Sequence, residues 1–339
     1  MVGMVFLGDK EVTLAEFSDP LPGPGEVVVE IKASGMCGSD LHKYRGARGG
    51  TPYVIGGHEP AGVVAALGAG VNDNIARVGS RVMVHHYHGC TTCNHCRSGW
   101  PQLCTTAPMQ LYGGNAHGSH ARYLKVPAGT LVPLDDALSF RAGAAISCGT
   151  GTAWGALRRM NLKGSDTVAI FGQGPVGLSA TMLAVAQGAR VIALDTMPAR
   201  LARAQTCGAD IVINPKEQNA VEAIRAVTHG RGATMSMETS GSSIAGADAL
   251  ACLDKWGTSC FVGLGTEVKL NVRELLSSQI TIMTSLTMSI LGQRECADFV
   301  VERGLDVDSL FTSQWKLEDA AEAYREFDKQ NSGKGVFIF

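Results

Sequence analysis

The sequence has no excess of charge of either sign: 29 Lys and Arg stand against 31 Asp and Glu, a formal charge of -2. Nothing in that balance favours a basic nucleic-acid groove or a polybasic membrane face. There is no low-complexity tract, no internal repeat and no collagen-like glycine period among the 42 glycines. Those glycines therefore signal tight turns and close backbone approaches. The first residues, MVGMVFLGDKEV, lack a basic n-region and reach an acidic side chain within nine positions, so they do not read as a secretory leader. An uncharged stretch runs from Thr167 to Ala189, but it holds four glycines, a proline and two glutamines. It divides into a β-like run, a glycine turn and an Ala/Leu-rich helix, so no membrane span is expected. The expectation is a cytoplasmic chain in which disulfides are not needed.

What is present is a sizeable apolar fraction, 45% of 339 residues, with 18% charged. That excludes disorder and suffices for about two domains at roughly 150 residues each. Residues 1 to 147 read as short β segments cut by Gly and Pro, among them Val27–Lys32, Gly62–Leu67, Arg81–His85 and Ala121–Val126, a barrel-like pattern. From Thr167 onward short apolar runs (Thr167–Phe171, Arg190–Leu194, Asp210–Ile213, Thr234–Met237, Thr258–Val262) alternate with helical stretches (Pro175–Gln187, Pro198–Cys207, Ala220–Thr228). Alternation of that kind predicts a doubly wound parallel sheet, hence an α/β protein. The tail carries a helical segment at Leu317–Asp328 and the apolar GVFIF, a strand expected to rejoin the first domain. The domains expected are 1–147 with 290–339, and 148–289 between them.

In VAIFGQGPVG, Gly172, Gly174 and Gly177 stand at G-x-G-x-x-G spacing between a strand and a helix. Such a turn lets the backbone approach a pyrophosphate at a helix N-terminus. A second strand ends at Asp195, close to the spacing of a ribose-binding carboxylate, which favours NAD over NADP, with Arg200 nearby to soften that preference. The same turn also occurs in sheets that bind no nucleotide.

Ten cysteines are the other conspicuous feature. Cys90, Cys93, Cys96 and Cys104, spaced C-x2-C-x2-C-x7-C across residues 88–105, suit a closed tetrahedral zinc site, structural rather than catalytic. An iron–sulfur cluster is the chemical alternative, without the following proline of the ferredoxin run. A nucleic-acid module is disfavoured because Arg97 is the lone local cation. Cys37 in GMCGSDLH, His58 and Glu59 in GGHEPAG, and Cys148 in ISCGTGTAW offer two thiolates and an imidazole, a set suited to zinc with one open position. Taken singly, each reads equally as a buried thiol or a hydrogen-bonding histidine, and spacing alone does not join them.

In this order, the motifs make the chain resemble the zinc-dependent medium-chain dehydrogenase family, alcohol dehydrogenases of GroES-like plus Rossmann architecture, over essentially its whole length. The resemblance implies an NAD-dependent alcohol dehydrogenase with two zinc ions per chain, a small-molecule alcohol or carbonyl substrate, and a homo-oligomer, dimer or tetramer. The family's active site lies in the cleft between the two domains. Cys37, His58 and Cys148 fall on the catalytic zinc ligands, with Glu59 close behind as a transient ligand and Asp40 holding the other nitrogen of His58. Ser39 and His42 match the proton relay; Thr152, Val176 and Val262 the nicotinamide contacts; Lys334 a pyrophosphate contact. Gly38 stands where some members carry a basic residue. Arg48, His86 and Met109 fall at substrate-pocket positions. Cys148 resembles alcohol dehydrogenases proper, whereas the polyol branch often has Glu there. Polyol or amino-alcohol dehydrogenase, zinc-free quinone or enoyl reductase, and a non-catalytic zinc- and NAD-binding protein are the other readings. The segment Ile280–Ile290 is the expected oligomer contact, and Cys207, Cys252, Cys260 and Cys296 are expected as reduced, packed thiols.

Overall fold

A computed structural model describes residues 1–331 and 333–339. The chain divides into two compact units, one of Met1–Gly151 with Met288–Phe339, the other of Thr152–Thr287.

In the first unit the long strand Glu26–Gly35 is the organiser. It pairs antiparallel with Pro60–Leu67, with Tyr123–Pro127 and with the late strand Lys334–Ile338. The seven-stranded sheet continues through Arg81–Val84 to Leu131–Pro133 on one side and through Phe311–Trp315 on the other. Val27, Val29 and Ile31 alternate along the organising strand and enter one core with Val64, Val82, Val84, Leu124 and Val126, as the two-residue period of a strand requires. A second core gathers Met4, Phe6, Met36, Tyr44, Tyr324, Phe327 and Phe337 beneath the helix Ala320–Asp328. The tail expected to rejoin this domain does so, with Val336–Ile338 facing Ala33–Gly35. The sequence pattern missed the helix Ile290–Glu302, capped by Ser289.

The second unit is a six-stranded sheet in the spatial order Ile211–Ile213, Arg190–Leu194, Thr167–Phe171, Ala233–Glu238, Leu253–Phe261, Thr281–Thr284. Every neighbouring pair is parallel. In sequence terms this is 3-2-1-4-5-6, with the order reversing beside Thr167–Phe171. Val168–Phe171 and Val191–Leu194 are buried on both faces, which explains why they read as continuous apolar runs rather than alternating ones. The strand expected at Thr258–Val262 begins earlier, at Leu253. Its exposed Lys255 and Trp256 had hidden that start from an apolar-run criterion. Among the described residues no helix is long and apolar enough to cross a membrane.

Candidate active site

The first unit carries two groups of metal-ligating side chains. Cys37 follows directly on the strand Glu26–Gly35, in a turn closed by its own N–H donating to Asp40 Oδ2 at 3.0 Å and the Asp40 N–H donating to its carbonyl at 3.0 Å. His58 and Glu59 immediately precede the strand Pro60–Leu67. Cys148 occupies the break between the helices Phe140–Ile146 and Gly149–Met160. The hydroxyl of Ser147 donates to the Pro60 carbonyl at 2.8 Å, which ties that break to the His58 segment. Ligand atoms of Cys37, His58, Glu59 and Cys148 consequently lie within 4.8 Å of one another.

The two sulfurs are 3.9 Å apart. A tetrahedral zinc with Zn–S bonds of about 2.3 Å needs an S···S edge of about 3.8 Å, so the donor set fits that ion. Asp40 decides which imidazole nitrogen is offered: His58 Nδ1 lies 3.1 Å from Asp40 Oδ1, which leaves Nε2. Ser39 Oγ stands 3.2 Å from that Nε2 and 3.3 Å from Cys37 Sγ. Without metal, burial opposes a charged His58, yet the Asp40 carboxylate and the Cys37 thiolate hold its pKa at about 10. A hydrogen bond from Cys148 lowers the Cys37 thiol, helped by the charge of His58, while the same bond and burial raise Cys148. The pair thus carries one thiolate and one proton, and a cation with high charge density would displace that proton.

Glu59 is fully buried, and its carboxylate forms an ion pair with the equally buried Lys334. Burial drives Glu59 up to about 8 against the pull of Lys334. Lys334 Nζ also donates to the Met36 carbonyl at 3.2 Å. Lys334, expected at a pyrophosphate, is therefore committed to neutralising Glu59, because its charge has no solvent exit. Arg48 is likewise not a pocket wall in this geometry: it is exposed and pairs with Glu11. His42 is exposed on the helix Asp40–Arg45, and Met109 is half-buried with its carbonyl accepting from Asn115. His86 is buried with its ring 5.3 Å from that of His58, and its Nδ1 lies 2.9 Å from the Ser147 carbonyl. Burial and the His58 charge depress its pKa, keeping it a neutral lining group.

Cys90, Cys93, Cys96 and Cys104 form the second group, again with all four sulfurs within 4.8 Å. Cys90 Sγ and Cys96 Sγ are 3.9 Å apart, and the N–H of Cys93 donates to Cys90 Sγ at 3.2 Å. The Thr92 hydroxyl and the backbone N–H groups around it lower the Cys90 thiol to about 5. Of the histidines near this lobe, His95 is exposed and His85 is packed with Nε2 3.1 Å from the Met288 carbonyl.

In the second unit, Gly172 takes φ +88°, a left-handed conformation that glycine adopts without strain. A Cβ on Gly177 would meet the Gly172 carbonyl at 1.8 Å, so the strand–helix approach requires a hydrogen there. A Cβ on Gly174 would meet nothing within 4 Å: open space lies in front of the first N–H groups of the helix Pro175–Ala186. This is the cradle an anionic phosphate fits. Asp195 closes the second strand and accepts from the N–H groups of Gln173 at 2.7 Å and Met197 at 2.9 Å. Arg200 Nη1 is 3.7 Å from its Oδ2. Val176 lies in the first turn of the helix, Val262 follows the strand Leu253–Phe261 with its N–H on the Glu238 carbonyl, and Thr152 is buried at the start of this unit. Sequence reasoning missed Glu238, whose buried carboxylate accepts from Ser240, Gly241 and Thr266 and shapes the loop beyond its strand.

Comparison with known proteins bears on the family and the fold. Residues 23–136 match the alcohol dehydrogenase GroES-like domain, and residues 175–303 match the zinc-binding dehydrogenase family. An uncharacterised zinc-type alcohol dehydrogenase-like protein of Escherichia coli K12 is 35% identical, with 100% of this chain and 99% of that protein aligned. The sorbitol dehydrogenase of Bacillus subtilis is 33% identical over 95% of this chain and 92% of its own. Among solved structures, the alcohol dehydrogenase TADH from Thermus sp. ATN1 superposes with a TM-score of 0.92 at 30% identity, covering 100% and 99% of the two chains.

Proposed function

This chain belongs to the zinc-dependent medium-chain dehydrogenase family, and from that premise we propose that it is an NAD-dependent alcohol dehydrogenase that interconverts a primary or secondary alcohol and its aldehyde or ketone. The observation that carries the reading is the convergence of Cys37, His58 and Cys148, with the two sulfurs at a zinc-sized 3.9 Å and the neighbouring Glu59 engaged by Lys334, a donor set that would leave a fourth position to substrate. Catalysis is assigned to residues 1–147 with 290–339 together with Cys148, and cofactor binding to the rest of 148–289.

Cys37, His58 and Cys148 would hold the catalytic zinc and the four cysteines of the lobe a structural one. When bound, the catalytic ion supplies Lewis acidity that lowers the pKa of an alcohol oxygen toward neutrality. Nicotinamide supplies the hydride acceptor. The chain's own residues do the rest. Asp40 fixes the His58 ring so that Nε2 is presented. Ser39 would take up the alcohol proton at Oγ and pass its own hydroxyl proton on toward exposed His42, which would release it to solvent. Glu59, held back by Lys334, stands as a reserve carboxylate behind the ligands. His86 packs a neutral, polar wall beside His58. The Gly172–Gly177 turn cradles pyrophosphate, and Asp195 receives ribose hydroxyls.

A panel of cyclic, aromatic, polyol and carboxylated alcohols, followed by NADH absorbance, tests the reading. Oxidation of at least one alcohol with NAD preferred over NADP is expected, and Asp195→Ala should narrow that preference at least about 10-fold. Zinc-replete protein that reduces neither cofactor would refute it and leave the non-catalytic reading. The sorbitol dehydrogenase relative favours a polyol as the second candidate class; the same panel separates it.

The reading includes a homo-oligomer. Thr281–Thr284 is an edge strand of its sheet, and Leu264, Leu270, Val272, Leu276 and Leu286 of the same unit are exposed. An unpaired edge and exposed apolar side chains are features that pair or aggregate. Sedimentation should give a dimer or tetramer that Leu276→Glu weakens; a monomer at micromolar concentration would exclude the assembly. None of the ten cysteines is in a disulfide, which suits the proposed cytoplasmic residence.

A further inference from the structure

The contact of Asp40 with His58 is the near end of a longer buried chain. Tyr324, on the helix Ala320–Asp328, places Oη 3.3 Å from Asp40 Oδ2. His120 Nε2 lies 2.7 Å from that same Oη. On the far side of its ring, His120 Nδ1 lies 2.8 Å from Ser34 Oγ, which in turn is 2.7 Å from Ser119 Oγ. Ser34, Asp40, Ser119, His120 and Tyr324 are all 0% exposed. Aromatic edges fix both rings, Phe6 at 4.9 Å from Tyr324 and Phe337 at 4.8 Å from His120.

Because every member is fully buried, proton counting sets the direction of this chain. The Asp40 carboxylate only accepts, and Tyr324 has a single O–H. If Tyr324 gave that proton to His120, its lone pairs would face the carboxylate at 3.3 Å, two buried acceptors with nothing between them. Tyr324 therefore donates to Asp40. The 2.7 Å contact then requires His120 to donate from Nε2. Burial holds His120 at about 3, so it carries one ring proton and accepts from Ser34 at Nδ1. Ser34 accepts from Ser119. Every donor points toward Asp40, whose other oxygen faces His58 Nδ1.

We propose that Tyr324 and His120 are positioning residues for the metal centre: a one-way hydrogen-bond chain, Ser119 to Ser34 to His120 to Tyr324 to Asp40, that holds the carboxylate in place and so fixes which His58 nitrogen reaches the metal. The proposal rests on the reading of Cys37, His58 and Cys148 as zinc ligands. Asp40, in contact with His58, is the kind of partner that typically alters metal affinity about 10- to 100-fold; Tyr324 acts through it and accounts for a fraction of that effect.

Two measurements test it. The first uses metal-free protein with 15N-labelled histidine: one-bond and long-range couplings should show His120 protonated at Nε2. Protonation at Nδ1 would overturn the direction of the chain and with it the proposal. The second loads wild type and Tyr324→Phe with cobalt in place of zinc. Tyr324→Phe should bind the ion at the Cys37 site about 3- to 10-fold more weakly in chelator competition, and shift its visible d–d bands, while the four-cysteine lobe is unchanged. Unchanged affinity and spectrum would overturn it. Wild type that takes up cobalt at the lobe alone refutes the zinc-ligand reading instead. If Tyr324→Phe does not fold, the histidine measurement on wild type decides.

Discussion

Cys37→Ser is expected to lower alcohol-dependent NADH formation by at least about 10³-fold, since Lewis acidity is worth several kcal/mol of barrier and each 1.4 kcal/mol is tenfold. The substitution replaces a soft donor, already biased toward thiolate by Cys148 and His58, with a hydroxyl that stays protonated. The 3.9 Å sulfur–sulfur edge is lost, and with it one of three ligands. Zinc content, measured by mass spectrometry, should fall from two ions per chain to one, the survivor held by the lobe cysteines. The fold should persist because the change is nearly isosteric. Turnover retained at wild-type rates would remove Cys37 from the ligand set.

Above about pH 8, where Glu59 ionises, Lys334→Met is expected to destabilise the first unit by about 3–5 kcal/mol, because it leaves the buried Glu59 carboxylate without its partner. Both side chains are inaccessible, at 1% and 0% exposure, so water cannot take over. The melting temperature should drop on the order of 10 °C for a unit of this size. The sign with pH follows from Glu59, whose folded value lies above its ordinary 4.5, at about 8 even with Lys334 present. A carboxyl raised in the folded state favours folding while it stays protonated. Both proteins therefore lose stability together as pH rises from 4.5 toward 8, and the variant, whose Glu59 is raised further, goes on losing it above about 8, where wild type levels off. Adding Glu59→Gln should recover much of the loss. A variant melting like wild type above about pH 8 would show that the ion pair carries no net weight.

The legibility of this protein in its sequence was uneven for a physical reason. Thr167–Phe171 and Arg190–Leu194 announced themselves because strands buried on both faces must be apolar throughout. The glycine turn was readable because Gly172 and Gly177 answer local constraints, a left-handed φ and a 1.8 Å approach. The four lobe cysteines stood out because C-x2-C-x2-C-x7-C is a local spacing suited to a single ion. The partners of those groups were not. Lys334 matched a family position, yet its actual neighbour, Glu59, depends on the register of Lys334–Ile338 against Glu26–Gly35. Arg48 is an ordinary surface cation with an ordinary acid beside it. Tyr324, His120 and Ser34 are common residue types, and no local pattern marks them for hydrogen bonding across separations of 86 and 204 positions.

Those separations have a consequence for how the protein is made. Asp40 receives Tyr324 across 284 positions, and Met36 receives Lys334 across 298. Between them the ribosome must synthesise the whole of Thr152–Thr287. Domains emerge in order during translation, so Cys37, His58 and Cys148 leave the ribosome long before the residues that brace and neutralise their surroundings. A nascent chain presents the ligands in an unfinished cavity, and a fragment ending after the inserted unit never completes it. A chain that ends before Tyr324 and Lys334 would leave Asp40 and Glu59 without these partners.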